Sequence, residues 1–283
     1  MSAAVNPTVI GTGKQHTCVA LSDGTIKLWG QGQYGSLGDG STGYNKVGDV
    51  GGETPANLTA IGTSTFGAGR SVVSVGCGTQ FTVVVLDNGE VWSTGRNNSH
   101  QLGRNGTTDQ STFGQVSIGS GIVATDVACG IAHVVILTNA GKIKAWGGNT
   151  YGEAGPGNTA SPIVIQTNGD TYTWMDSTGH IDIAGGAGAY PGNNNYSGRT
   201  VMQIACGPYH NLALLDDGQI VAWGRGSNYA LGNGSQSNLG RSDSDELSNP
   251  YTASNAASSP VVHIACGSEH NIACKANGDI IVW

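Results

Sequence analysis

Residues 207–232 read GPYHNLALLDDGQIVAWGRGSNYALG, and the register inside this stretch returns along the chain. From His210, a glycine follows eight residues later (Gly218), a tryptophan five beyond it (Trp223), and a Leu-Gly pair eight further on (Leu231, Gly232). The first offset holds five times: His16 to Gly24, Phe81 to Gly89, His133 to Gly141, His210 to Gly218 and His270 to Gly278. Trp29, Trp146, Trp223 and Trp283 keep the second offset, while the Phe81 copy has Thr94 there and a displaced Trp92. Leu37, Leu102, Ala154 and Leu231 keep the third, each before a glycine, and the fifth copy runs out at Trp283. Self-similarity at spacings of 65, 52, 77 and 60 residues is the mark of a repeat architecture.

The register has a local meaning. Asp23-Gly24, Asn88-Gly89, Asp217-Gly218 and Asn277-Gly278, with Ala140-Gly141 as the weaker variant, are tight-turn pairs that supply the positive φ of two-residue hairpins. Apolar runs such as 82–86 and 211–215 precede the turns, and runs such as 220–223 follow them. Each unit therefore contains a β-hairpin. A lone hairpin cannot bury both faces, so the units must pack against one another. The spacings suit blades of about four strands with variable outer loops. The expectation is an all-β chain, a single β-propeller domain over residues 1–283, with four full units and a truncated fifth.

The pattern Gly-x-x-His, apolar strand, Asp-Gly, Trp-Gly, Gly-x-Leu-Gly resembles the repeat of the regulator of chromosome condensation family of β-propellers. Gly13, His16, Trp29, Gly30, Gly35, Leu37 and Gly38 carry it in the first copy, and Gly207, His210, Trp223 and Gly224 in the fourth. The resemblance implies a closed ring of about seven blades, so either the natural protein continues past Trp283 or the ring closes in an unusual way. Residues 163–174, where Gly169 and Trp174 keep the five-residue offset, are an added hairpin or a degenerate blade. The family's exchange of guanine nucleotides on a small GTPase goes with a basic DNA-contacting element, which the charge balance here does not supply.

That balance is 12 Lys and Arg against 19 Asp and Glu, a net charge of −7, with no drive toward phosphate backbones or anionic lipid. The N-terminal residues show no signal peptide, and no stretch approaches the ~20 apolar residues of a membrane span. Four of the six cysteines (Cys77, Cys129, Cys206, Cys266) share one repeat position, while Cys18 and Cys274 do not. Structural thiols are the leading reading, with disulfides and a metal site as alternatives.

Chemistry-bearing residues are few. His16, His133, His210 and His270 share one position and would circle the propeller axis, as metal ligands or, the blander reading, as hydrogen-bonding groups that tie each blade to neighbouring backbone. The tryptophans fill space between blades. Gly30-x-Gly32-x-x-Gly35 matches a dinucleotide fingerprint but coincides with the repeat's own glycines, with no helix expected after it. Asp243, Asp245 and Glu246 form a weak calcium candidate against a solvated acidic loop. Asn57, Asn97, Asn105, Asn195 and Asn233 are glycosylation sequons of chance frequency. No nucleophile elbow, zincin or P-loop sequence occurs, so neither an enzyme nor a cofactor is expected.

Specificity is then expected in the inserts 40–70, 155–199 and 234–259, whose Gly, Asn, Ser, Thr and Tyr suit recognition of a protein or glycan surface. The composition points to a binding module on the exterior of a viral or phage particle, acting in decoration or receptor binding as part of a larger assembly. The alternatives are a regulator of a small GTPase and an enzyme-inhibitor propeller.

Overall fold

The computed structural model describes residues 5–44, 46–48, 57–62, 64–104, 106–155, 199–240, 248–251 and 259–283. They form five antiparallel meander sheets in chain order, with no α-helix among the described residues. The first sheet holds β1 (Pro7–Thr12), β2 (His16–Leu21), β3 (Ile26–Gln31) and β4 (Lys46–Val47), and the second β5 (Val72–Cys77), β6 (Phe81–Leu86), β7 (Val91–Gly95) and β8 (Gln110–Val116). The third is β9 (Ala124–Cys129), β10 (His133–Thr138) and β11 (Ile143–Gly147). The fourth is β12 (Val201–Cys206), β13 (His210–Leu215), β14 (Ile220–Gly224) and β15 (Ser248–Tyr251), and the fifth β16 (Val261–Cys266), β17 (Asn271–Lys275) and β18 (Ile280–Val282). The opening strands β1, β5, β9, β12 and β16 pack one on the next around a common centre. These are the blades of a β-propeller.

The hairpin turn differs from the expected one. Gly24 N–H donates to Leu21 O and Leu21 N–H to Thr25 O, both at 2.9 Å, and the same pair recurs in every blade. The loop therefore holds three residues, a tight turn ending in a bulge, and only the glycine needs a positive φ: 83°, 80°, 68°, 81° and 90° at Gly24, Gly89, Gly141, Gly218 and Gly278. The residue before it stays right-handed, which is why Ala140 is tolerated where other copies have Asp or Asn.

Each hydrophobic cluster lies between two blades rather than within one. Val135, Ile143 and Ala145 of the third blade meet Ile204, Ala213, Leu215 and Trp223 of the fourth. The same holds between the first and second blades, the second and third, and the fourth and fifth. Burial of this kind at about 25 cal/mol per Å² of apolar area makes the four seams the main source of stability.

Because the third and fourth blades share one core, no blade stands between them; residues 163–174, raised as a degenerate blade, themselves lie outside the described residues. The outermost faces lack such a neighbour. Ile280 is 62% exposed where its counterpart Ile220 is 0%, and Ile10 is 64% exposed where Ile204 is 6%.

The inserts are not all free surface. Ile61 pairs with Ile26, and Phe66 is buried with its ring edge-on to Trp92 and Phe113, at centroid distances of 5.7 and 5.4 Å. Leu239 bonds Gly224 in both directions, at 2.8 and 2.9 Å. Insert 40–70 and the start of insert 234–259 thus close seams; insert 155–199 lies outside the described residues but for its ends.

Candidate functional site

The seams hold the repeat's polar residues. His133 Nε2 lies 2.8 Å from Asn211 Oδ1, and His210 Nε2 lies 2.8 Å from Asn271 Oδ1. Each partner belongs to the next blade, one residue after that blade's own histidine. The asparagine Nδ2 groups donate onward, Asn211 to Glu153 O at 2.8 Å and Asn271 to Ala230 O at 2.7 Å. That commitment leaves Oδ1 as acceptor and fixes the proton on the histidine Nε2. The same carbonyls accept from an indole, Trp223 Nε1 to Glu153 O at 3.1 Å and Trp283 Nε1 to Ala230 O at 3.2 Å. One backbone oxygen is thus clamped by two donors from the following blade.

The first seam keeps half of this clamp. His16 Nε2 lies 2.9 Å from Thr82 Oγ1, whose hydroxyl donates to Ser36 O at 2.8 Å, while Thr94 replaces the indole and donates to Gly35 O at 2.9 Å. Trp92 sits two residues earlier on β7, hence on the same face, and packs toward the first blade against Phe66. The second seam keeps the other half. Phe81 stands in the histidine position and Val134 in the asparagine position, both fully buried, while Trp146 Nε1 still donates to Gln101 O at 3.0 Å.

The histidines therefore do not converge on an ion, and the Nε2 atoms of His16, His133 and His210 each meet a side chain of the adjacent blade. Burial holds His16 and His133 down to about pH 4, against a smaller upward pull from a backbone bond at Phe81 and from Asn211 respectively; burial lowers His210 as well. His270, on the outer face of the fifth blade, is exposed. The glycine three residues before each ring lies flat beneath it: a Cβ on Gly78 would collide with Phe81, and one on Gly130 or Gly207 with His133 or His210.

Cys77, Cys129, Cys206 and Cys266 line a central cavity of about 610 Å³ with Lys14, Tyr209 and Glu269. All six cysteines are unpaired. Burial raises the Cys18, Cys77, Cys129, Cys206 and Cys266 thiols, Cys77 to about 12, which keeps these five protonated. No group of three or more His, Cys, Asp or Glu among the described residues is placed to hold a metal. Asp243, Asp245 and Glu246 lie outside the described residues, as do Asn105 and Asn195. Gly30–Gly35 runs into one short 3-10 turn at Gln33–Gly35, not a helix, so no helix N-terminus faces a phosphate there.

The end of the blades that carries the Gly-x-x-His loops also carries the loops after β3, β7, β11 and β14. Arg96 lies 4.9 Å over Tyr34 and donates to Gln80 Oε1 at 2.8 Å; Gln80 in turn donates to Gln33 at 2.8 Å. Arg225 lies 5.3 Å over Tyr151 and 5.5 Å over Tyr209. Tyr34, Asn228 and Tyr229 hold positive φ, at 62°, 57° and 62°, and Tyr229 is 52% exposed. Left-handed backbone at non-glycine residues carries a strain of about 1 kcal/mol or more, and such strain gathers at working surfaces. Sequence reasoning missed this face, although Arg96 and Arg225 share one repeat position two residues after the Trp or Thr.

The family model described as regulator of chromosome condensation (RCC1) repeat matches residues 23–85, 88–137 and 217–274, and a second model of the same description matches 72–101, 124–153 and 201–230. The chain belongs to this repeat family. Among curated relatives, human E3 ubiquitin-protein ligase HERC2 is 26% identical over 273 residues, 95% of this chain and 5% of that protein. The ultraviolet-B receptor UVR8 of Arabidopsis thaliana is 25% identical over 276 residues, 97% of this chain and 52% of the receptor. The chain thus spans about half of the receptor and a small part of the ligase. Human WBSCR16 superposes with a TM-score of 0.68 at 19% identity, covering 100% of this chain and 63% of that one. Yeast RCC1 (Prp20), solved bound to Kap60, gives 0.52 at 19%, covering 97% and 69%. These structures share the propeller fold. No helix among the described residues is long and apolar enough to cross a membrane.

Proposed function

We propose that this chain is a non-catalytic, protein-binding propeller that meets its partner through the loop face. The carrying observation is the half-exposed set of arginine, tyrosine and glutamine bridges across that face, crowned by the strained, exposed Tyr229. Tyrosine and arginine supply most of the binding energy in protein interfaces, whereas the buried repeat residues are consumed by packing. The complex of yeast RCC1 with Kap60 supports a protein as the class of partner. Cross-linking mass spectrometry in the native host tests the reading. Cross-links should cluster on the loop face and vanish in R225A/Y229A but persist in N139A, on the turn at the opposite end. Cross-links confined to the turn end would overturn it.

A second reading, regulation of a small GTPase through the same face, draws on the resemblance to the X-linked retinitis pigmentosa GTPase regulator homolog of Caenorhabditis elegans, 20% identical over 98% of this chain and 23% of that protein. It predicts faster nucleotide release from a GTPase added to this chain, and an unchanged rate removes it. A glycan partner, an inhibited enzyme and the exterior of a virus particle rest on composition and fold alone.

A further inference from the structure

Three of the four seams are bridged by side chains on the loop face: Arg96 on Tyr34 at the first, Arg225 on Tyr151 and Tyr209 at the third, and Asn228 donating to Glu269 at 2.6 Å at the fourth. At the second seam the corresponding side chains are cut back. Gly148 stands where the neighbouring blades have Arg96 and Arg225, Ala132 where they have Gln80 and Tyr209, and Ser99 where they have Tyr34 and Tyr151. The backbone frame is retained: Gly148 N–H donates to Ala132 O at 2.8 Å, as Arg96 does to Gln80 O at 2.9 Å and Arg225 to Tyr209 O at 2.8 Å. The result is a notch of about 140 Å³ lined by Asn98, Ser99, Ala132, Gly148, Thr150 and Tyr209. Ligand pockets for free small molecules run to several hundred Å³, so this one fits a single side chain.

The fold does not require glycine here. Gly148 lacks a positive φ, and a Cβ on it would meet Ala132 at 3.4 Å, an ordinary contact. Its neighbour Gly147 is the opposite case, with a φ of 101° and no room beside the Ala132 backbone. The missing side chain at 148 is thus a feature of the surface rather than of the backbone.

We infer that this notch receives an arginine side chain from the protein partner. The molecule shows twice what occupies the equivalent position, a guanidinium lying on a tyrosine ring; Arg96 also donates to a side-chain oxygen. At the notch the ring position holds Ser99, and Tyr209, whose ring also meets Arg225 at 5.5 Å and Tyr151 edge-on at 5.3 Å, forms one wall, while the Ser99 and Thr150 hydroxyls and the Asn98 carboxamide supply acceptors. The net charge of −7 favours approach of a basic partner. The inference rests on the loop face being the binding surface and specifies the side chain that face takes.

The test is a titration of the isotope-labelled full chain with acetyl-Gly-Arg-Gly-amide, followed by amide chemical shifts. Saturable shifts at Gly148, Ala132 and Ser99 are expected, with a Kd on the order of 1 mM and several-fold weaker binding of the lysine peptide. G148R should place its own guanidinium in the notch and abolish the response with an unchanged melting temperature. Should G148R fold poorly, A132Q serves, by filling the notch as Gln80 fills the first seam. No saturable shift, equal binding of the lysine peptide, or binding that survives a folded notch-filling variant would overturn the inference. The titration needs no native partner, so its outcome is separate from that of the cross-linking experiment.

Discussion

The second and third seams join sheets of the same repeat in two different ways. At the third, His133 Nε2 donates to Asn211 Oδ1, and Asn211 Nδ2 and the Trp223 indole both donate to Glu153 O. At the second, Phe81 and Val134 fill the same two positions with hydrocarbon, and only the Trp146 indole reaches the equivalent carbonyl of Gln101. The two substitutions go together, 53 residues apart. A histidine opposite valine would bury an unpaired N–H, and a phenylalanine opposite asparagine would bury an unpaired carbonyl; changing both costs little. The polar network is thus one of two workable solutions, and what the seam demands is that its two halves match.

The comparison can be broken most sharply by mismatching a pair. Asn211→Leu strands the His133 N–H and removes one donor from Glu153 O, and should lower stability by about 3 kcal/mol in urea denaturation. The double change H133F/N211V, which copies the second seam, should return to within about 1 kcal/mol of the parent. A double variant no better than Asn211→Leu would show that the seams are not interchangeable.

In the other direction, Phe81→His places an imidazole against Val134 and should cost about 2 kcal/mol by the same measurement, with F81H/V134N recovering most of it. Recovery in only one direction would mean that the carbonyl, which already has its indole at the second seam, decides which pair is preferred.

Acid separates the seams by charge. His16 and His133 have folded values near 4 against about 6.5 in the unfolded chain, so between those limits the unfolded state binds more protons. Their contribution is complete above pH 6.5, falls as pH drops, and is lost below about 4. Each site gives a slope of up to about 1.4 kcal/mol per pH unit within the window. H133F/N211V should flatten the curve by one such site, and an unaltered slope would contradict the assignment. The smallest effect expected is that of Trp223→Phe, which gives up one indole bond to a carbonyl that keeps Asn211: about 1 kcal/mol in melting experiments, against about 2 for Trp146→Phe, where no second donor remains.

Much of the fold was legible because its signals are local. The turn glycines, the runs beside them and the ring over Gly-x-x-His act within about fifteen residues, and among the described residues these signals located the hairpins β2–β3, β6–β7, β10–β11, β13–β14 and β17–β18. The turn was misjudged by one residue, since Asp-Gly serves both a two-residue loop and a three-residue loop ending in a bulge, and only hydrogen bonds tell them apart. The histidine partner was assigned to backbone because Asn211 and Asn271 belong to the strand after the next histidine, a whole repeat away from the rings they bind. Insert 40–70 looked like free surface, yet Phe66 fills the space beside Trp92.

The amino-acid sequence by itself determined the five turn-glycine hairpins of the described residues and their common register, because a turn and the alternation of apolar residues beside it are set by neighbours along the chain. Tertiary structure alone decided which residue faces which across a seam, that Phe81 and Val134 form a matched pair, and that Gly148 opens a notch rather than permitting a bend. Those contacts join positions separated by a full blade, and the spacing within one repeat carries no information about what the next repeat places opposite.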